Sequence, residues 1–164
     1  MSTTPEPLVG TELPRVTPEP LVGTELPRVT PEPLVGTELP RLVIEAVDGE
    51  KMKTMAALLA DPNPIHWDVE AVQALGMGNQ PVNQGPNNMA YVMNMLADWA
   101  GGAEHIRRVR VRFLDNVFAG DRLEAGGTIT SADDDGMVEC EVWLARDGTH
   151  PVLAGTATLS QAPV

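Results

Sequence analysis

Cys140 is the only cysteine in this chain, which excludes an internal disulfide and makes a reducing, cytoplasmic setting the expectation. Positive charge is also scarce: 11 Lys and Arg stand against 23 Asp and Glu, a net charge of −12. That balance argues against a nucleic-acid partner, whose phosphates need clustered basic side chains. It leaves room for one small anionic ligand held by a local patch. No apolar run reaches the roughly 18 residues that cross a bilayer, so no membrane span is expected. The N-terminus has no basic segment leading into an apolar one, so no signal peptide is expected either. A Gly-rich phosphate loop, a metal-spaced Cys/His cluster and a G-x-S-x-G elbow are all missing.

What is present is enough for one domain: 164 residues, 43% of them hydrophobic. The chain opens on a repeat. Thr4–Val16 reads TPEPLVGTELPRV, Thr17–Val29 repeats it unchanged, and a third copy from Thr30 differs only at Leu42. Three prolines per copy forbid a helix and favour extended or polyproline II geometry. Thirteen residues are too few for a solenoid unit. Only the third copy runs on into apolar sequence, through Leu42-Val43-Ile44-Glu45-Ala46. Residues 1–29 therefore read as a duplication of the domain's first strand, or a cloning artefact, poorly ordered. The alternative is a proline-rich docking arm, which has no P-x-x-P core with basic flanks to support it. Residues 1–29 carry a net −2, so the acidity belongs to a domain spanning 30–164.

Three helices are legible. Asp48 can cap the first, whose Met52, Met55, Ala56 and Leu59 recur at helical spacing. It should end near Ala60, because Asp61 precedes a proline. A short second helix runs from Asp68 as N-cap to Leu75, with Gly76 as its stop. A third starts at Pro86, runs to about Ala100 and stops at Gly101-Gly102. It is apolar nearly all round, as a helix buried on most sides would be. Its Met89, Met93 and Met95 read as core filler, with the lining of an acyl or sterol pocket as the rival reading. Strands follow at 107–114, 123–131, 137–146 and 152–160, with hairpin signals at 132–136 and at Asp147-Gly148. Helices followed by an antiparallel meander give an α+β domain with a sheet curled around one buried helix.

The chemistry concentrates in Asp61-Pro62-Asn63-Pro64-Ile65-His66-Trp67-Asp68. A carboxylate and an imidazole share one proline-stiffened turn beside the start of the long helix. Such a pair can manage a water molecule, and a histidine titrates close to working pH. The spacing alone is common, and an Asp that ends a helix followed by a turn histidine is its plain structural reading. Arg107, Arg108, Arg110 and Arg112 are the one basic cluster. They read as a solvated strand face, or as a site for phosphates. Cys140 lies in an alternating strand with no histidine near it in sequence, and reads as a buried structural thiol.

The D-x-N-P-x-H segment, the short helix and Gly after it, and the step into a long helix together resemble the MaoC-like (R)-specific enoyl-CoA hydratases. The likeness runs from about Val35-Gly36-Thr37-Glu38-Leu39-Pro40 to the last strand and includes Asn116–Leu123, which ends in Gly120-Asp121 before its strand. The resemblance implies a single hotdog fold and reversible hydration of a trans-2-enoyl-CoA to an (R)-3-hydroxyacyl-CoA. It implies no metal or redox cofactor, coenzyme A being part of the acyl-CoA substrate. Asp61 would orient and activate water, and His66 would exchange a proton. Asn63 would shape the turn and bond within the site. Gly85 would offer its N–H to the thioester oxygen, as a helix N-terminus can. Most members carry His-Gly-Met where this chain has Gln84-Gly85-Pro86. Pro86 supplies no N–H, and Asn83 or Gln84 is expected to compensate at the substrate.

The departure resembles the small subunits of actinobacterial steroid side-chain hydratases, which also share a run like Asp98-Trp99-Ala100-Gly101. By this resemblance Arg108, Arg110 and Arg112 would meet the phosphates of coenzyme A. A homodimer, or a heteromer with a second hotdog protein, would be expected. Two rival readings stay open: an acyl-CoA thioesterase on the same fold, and a non-catalytic or partner-dependent acyl-CoA-binding subunit.

Overall fold

The computed structural model describes residues 35–160. The reading of residues 1–29 lies outside the described residues, as does that of Thr30–Leu34 in the third repeat copy. Strand β1 (Leu42–Ile44) leads into α1 (Gly49–Leu59), α2 (Val69–Ala74) and α3 (Gly85–Ala100). Four long strands follow: β2 (Ile106–Phe113), β3 (Leu123–Ala132), β4 (Met137–Arg146) and β5 (His150–Ser160). No helix among the described residues is long and apolar enough to cross a membrane.

The helix boundaries follow local chemistry. Asp48 caps α1 by accepting from Glu50 N at 2.9 Å, and Asp68 caps α2 by accepting from Glu70 N at 2.8 Å. α1 closes on Ala60 in the left-handed region, φ 50°, before the two prolines. α3 begins with proline at its first turn and stops at Gly101, φ 84°.

The strands form one antiparallel sheet in the order β1-β3-β4-β5-β2. β3, β4 and β5 are the expected meander. β2 is not its first member: it pairs with β5, Val111 opposite Gly155, and becomes an edge. The segment after β2 does not turn straight back: it is drawn away from β2's neighbour, and its tight turn, Asp121 N to Phe118 O at 3.2 Å, comes just before β3. Asn83 N donates to Val117 O at 2.7 Å, Ala119 N to Pro81 O at 2.9 Å and Gly120 N to Val47 O at 2.9 Å. These bonds carry the chain across to β3, beside β1. The Asp147-Gly148 turn between β4 and β5 has φ of 50° and 70°, the primed hairpin geometry its sequence predicts.

α3 lies across the sheet. Val92, Met95 and Leu96 are buried against Leu123, Ile129, Val142, Leu144, Leu153 and Leu159. Met89, Ala90, Met93 and Ala97 stay half-buried, because five strands cover one side of the helix only. Met95 is core filler as read; Met89 and Met93 are not fully enclosed. The third repeat copy joins the sheet through its own tail: Leu39 is buried, its N–H bonds Gly127 O at 2.8 Å, and Leu42 pairs with Ala125.

Candidate active site

The turn after α1 is built by its own side chains. Asp61 Oδ1 accepts from Asn63 N at 3.0 Å, and Asn63 Oδ1 accepts from Ile65 N at 3.3 Å. Both are Asx-type bonds, and they fold Pro64–His66 into one 3₁₀ turn. Asn63 thus shapes the turn, with its Oδ1 bonded to the backbone. The second carboxylate oxygen of Asp61 is left facing His66, Oδ2 to Nε2 at 3.3 Å.

His66 is buried, and its Nδ1 lies 2.6 Å from the Val82 carbonyl. A carbonyl only accepts, so Nδ1 carries a proton and Nε2 is the ring nitrogen left facing Asp61. The same strand-like contact returns a bond, Val82 N to Ile65 O at 2.8 Å. The Asp61–His66 turn and the approach to α3 are thereby locked together.

The step from Val82 into α3 is polar and buried. Asn83, Gln84 and Asn88 are each under 5% exposed. Gln84 Nε2 donates to the Met52 carbonyl of α1 at 2.8 Å. That acceptor fixes the orientation of every amide after it. Asn87 Nδ2 donates to Gln84 Oε1 and to Asn83 Oδ1, both at 3.0 Å, and Asn83 Nδ2 donates to Asn88 Oδ1 at 2.7 Å. Burial holds the Tyr91 phenol above its ordinary value, while a hydrogen bond with Asn83 works the other way. The sequence reading gave Asn83 and Gln84 to the substrate. In the structure their amides bond inside the protein and tie α1 to the start of α3.

Gly85 follows, its N–H donating to no group of the described residues. Pro86 has no N–H, so Gly85 holds the exposed end of the helix dipole alone. Phe113, the last residue of β2, lies over it. A Cβ on Gly85 would come within 3.1 Å of the Phe113 ring. Sequence reasoning missed Phe113. Its place in an alternating strand marks it as apolar, but only the packing of β2 beside α3 puts its ring at Gly85. Missed as well was a groove of about 320 Å³ at Asp61, lined by Lys53, Ala56, Ala57, Ala60, Pro62 and Trp67. Three alanines keep its floor open, and Trp67 and Pro62 wall it.

Arg108, Arg110 and Arg112 do not join this site. Val109 and Val111 pack against the core that holds α3, so alternation turns the three arginines to the opposite face of the sheet. Cys140 is fully buried, and burial pushes its thiol up to about 11, as a structural thiol requires.

The chain and its fold have counterparts among known proteins. The UPF0336 protein Lxx02810 of Leifsonia xyli subsp. xyli is 32% identical over 123 residues, 67% of this chain and 80% of its own. The (R)-hydratase of A. caviae involved in PHA biosynthesis superposes with a TM-score of 0.72 at 20% identity, over 80% of this chain and 98% of that one. The ChsH1-ChsH2 complex of Mycobacterium tuberculosis gives 0.69 at 22% identity, over 79% and 98%. These superpositions identify the sheet and helix as a hotdog fold. A family model described as a MaoC like domain matches residues 31–142. The chain belongs to the MaoC-like dehydratase domain family.

Proposed function

We propose that the chain hydrates a trans-2-enoyl-CoA reversibly to the (R)-3-hydroxyacyl-CoA. The observation that carries this reading is His66, oriented by the Val82 carbonyl and facing the free oxygen of Asp61 at 3.3 Å. Paired as imidazolium and carboxylate, the two supply one base and one acid. Asp61 takes a proton from water as its oxygen bonds to C3. The alkene electrons move toward the thioester oxygen, where the Gly85 N–H meets the growing charge. His66 gives its Nε2 proton to C2, and the proton on Asp61 then passes to His66. Atoms balance, and no other reactant is consumed. Dehydration is the same path reversed.

Asn83 and Gln84 serve this reading as supports of the Gly85 donor. The alanine-floored groove at Asp61 suits a slender apolar chain arriving beside the pair. The substrate is an acyl-CoA, fatty or steroidal, in a reducing cytoplasm that suits the lone buried thiol. A second hotdog subunit is the partner we assign, and ChsH1-ChsH2 is one such complex among the structural neighbours. The balance favours addition to the alkene over a thioesterase, since the pair offers a base and an acid together.

The test follows loss of the conjugated-enoyl absorbance with short, long and steroidal trans-2-enoyl-CoAs. Asp61→Asn and His66→Ala should each lower kcat by about 10²–10⁴-fold with the fold intact. Turnover that survives both substitutions overturns this reading.

A further inference from the structure

Arg146, the last residue of β4, holds a segment that lies outside the candidate site. Its Nη2 is 3.1 Å from Asp115 Oδ2. Its Nη1 is 3.5 Å from Asp121 Oδ2 and 3.4 Å from the Asn116 carbonyl. One side chain thus grips both ends of residues 115–121, between β2 and β3. A planar fork of N–H donors serves several acceptors in one fixed geometry, which a lysine ammonium on its flexible stem does not. His150, the first residue of β5, shares Asp115 at 2.7 Å. The Arg146 and Asp121 side chains are only 23% and 20% exposed, so solvent screens their attraction less than that of a surface pair.

The middle of the gripped segment bears on the approach to α3. Phe118 N donates to Asp121 Oδ2 at 2.9 Å, so the carboxylate beside Arg146 also fixes the backbone of the turn. Val117 is fully buried, and its carbonyl accepts from Asn83 N at 2.7 Å. Ala119 N donates to Pro81 O at 2.9 Å, and Phe118 stands opposite Val82 in an antiparallel bridge. On its other side Val82 meets the Asp61–His66 turn. Its N–H bonds Ile65 O at 2.8 Å, and its carbonyl lies 2.6 Å from His66 Nδ1. Residues 81–83 are therefore held between the turn and the segment. Contacts run unbroken from Arg146 through Asp121, Phe118 and Val82 to the imidazole.

We propose that Arg146 is a positioning residue for His66. Its contacts press residues 115–121 against Pro81–Asn83, and that pressure keeps the Val82 carbonyl aimed at Nδ1. With Nδ1 so engaged, Nε2 stays the nitrogen that faces Asp61. Once the grip is gone, the strap at 81–83 loosens, the ring turns more freely and its Nδ1 proton meets water. The Gly120-Asp121 step gains a role here: Gly120, φ 88°, turns the chain, and Asp121 passes the hold of Arg146 on to Phe118. The effect on rate rests on the hydration proposed above. The effect on the ring rests on the contacts alone.

Arg146→Met in the full chain keeps the aliphatic bulk and removes the grip, with circular dichroism to check the fold. Asp121→Asn keeps the shape and weakens the same link, and carries the test if Arg146→Met does not fold. NMR of ring-labelled histidine, assigned against His66→Ala, follows the His66 Nδ1 proton. Its exchange with water should be about tenfold faster in both variants than in the wild type. With a trans-2-enoyl-CoA, kcat should fall about tenfold while KM changes by less than about twofold, because misplacing a reacting group costs rate. Arg146→Lys restores the charge without the fork, and both readouts should fall between wild type and Arg146→Met. Arg41→Met, which removes an ion pair with Glu124 far from this segment, should move neither. Faster ring exchange in a protein whose wild type turns over no enoyl-CoA would uphold the positioning and sink the hydration reading. Unchanged ring exchange in the folded variants overturns the proposal.

Discussion

Gln84 Nε2 donates to the Met52 carbonyl at 2.8 Å from a side chain that is 1% exposed. One bond thus joins the helix that delivers Asp61 to the residue preceding the Gly85 donor. Gln84→Met keeps the bulk and removes the bond, leaving a buried carbonyl and Asn87 without their partner. We expect a stability loss of about 1–3 kcal/mol. In the protein that remains folded, kcat should fall by about 10–100-fold while KM changes little, since misplacement of reacting groups costs rate. Gln84→Glu adds a signature that packing alone would not give. Its protonated form can donate to Met52 O, so its kcat should recover as pH falls. A kcat unchanged in both variants would show that the clamp does not position the site.

Much of this was legible in the chain. Caps at Asp48 and Asp68, prolines at 62, 64 and 86, and glycines at 76 and 101 set every helix boundary within a residue or two. Those signals are local, and so is the Asx pair that folds the Asp61–His66 turn. The strand order was not legible, because the segment after β2 is held by bonds from Ala119 N and Gly120 N to the Pro81 and Val47 carbonyls, far away in the chain. The direction of the amides at 83, 84 and 88 was hidden for the same reason: their polarity is set by Met52 O, 32 residues before Gln84. Alternation placed the arginines on one face correctly, but only the position of α3 says which face that is.

Gly155 shows how a strand glycine can report a close backbone approach. A Cβ there would strike the Arg110 carbonyl and come within 2.8 Å of Val111 Cα. Both are backbone atoms of the neighbouring strand, so no rotamer change relieves the clash. Gly155→Ala should cost about 1–3 kcal/mol or more. The loss should fall first on the β2–β5 pairing, visible as faster hydrogen exchange at Val109–Phe113. Unchanged exchange there would mean that the strands separate without strain.

Cys140 supplies a pH test with a definite sign. Burial raises its thiol from 9.0 to about 11, so the folded state keeps a proton that the unfolded state gives up. Its contribution to stability is full below about 9 and is lost as pH rises toward about 11. Denaturant midpoints should decline across that window, and Cys140→Ala should remove this part of the decline. A thiol reagent at pH 8 should leave the native protein unlabelled and label one site after unfolding. Rapid labelling of the native protein would show the strand opening.

Gly85 and Phe113 separate wall from donor. A methyl at Gly85 would press on the ring at 3.1 Å, but the ring is half exposed and is the far end of a side chain. It can swing outward, so Gly85→Ala should cost less than about 1 kcal/mol. Activity should suffer far more. The methyl stands where a thioester oxygen would approach the N–H, and losing one such donor costs about 10²–10³-fold in kcat. Phe113→Ala alone should raise KM and spare kcat, because the ring encloses the substrate without touching the proton transfers. In the double variant the stability cost of the methyl should vanish while the kcat defect stays. If Phe113→Ala instead restores kcat to Gly85→Ala, the methyl acts only by displacing the ring, and the Gly85 N–H is not the donor.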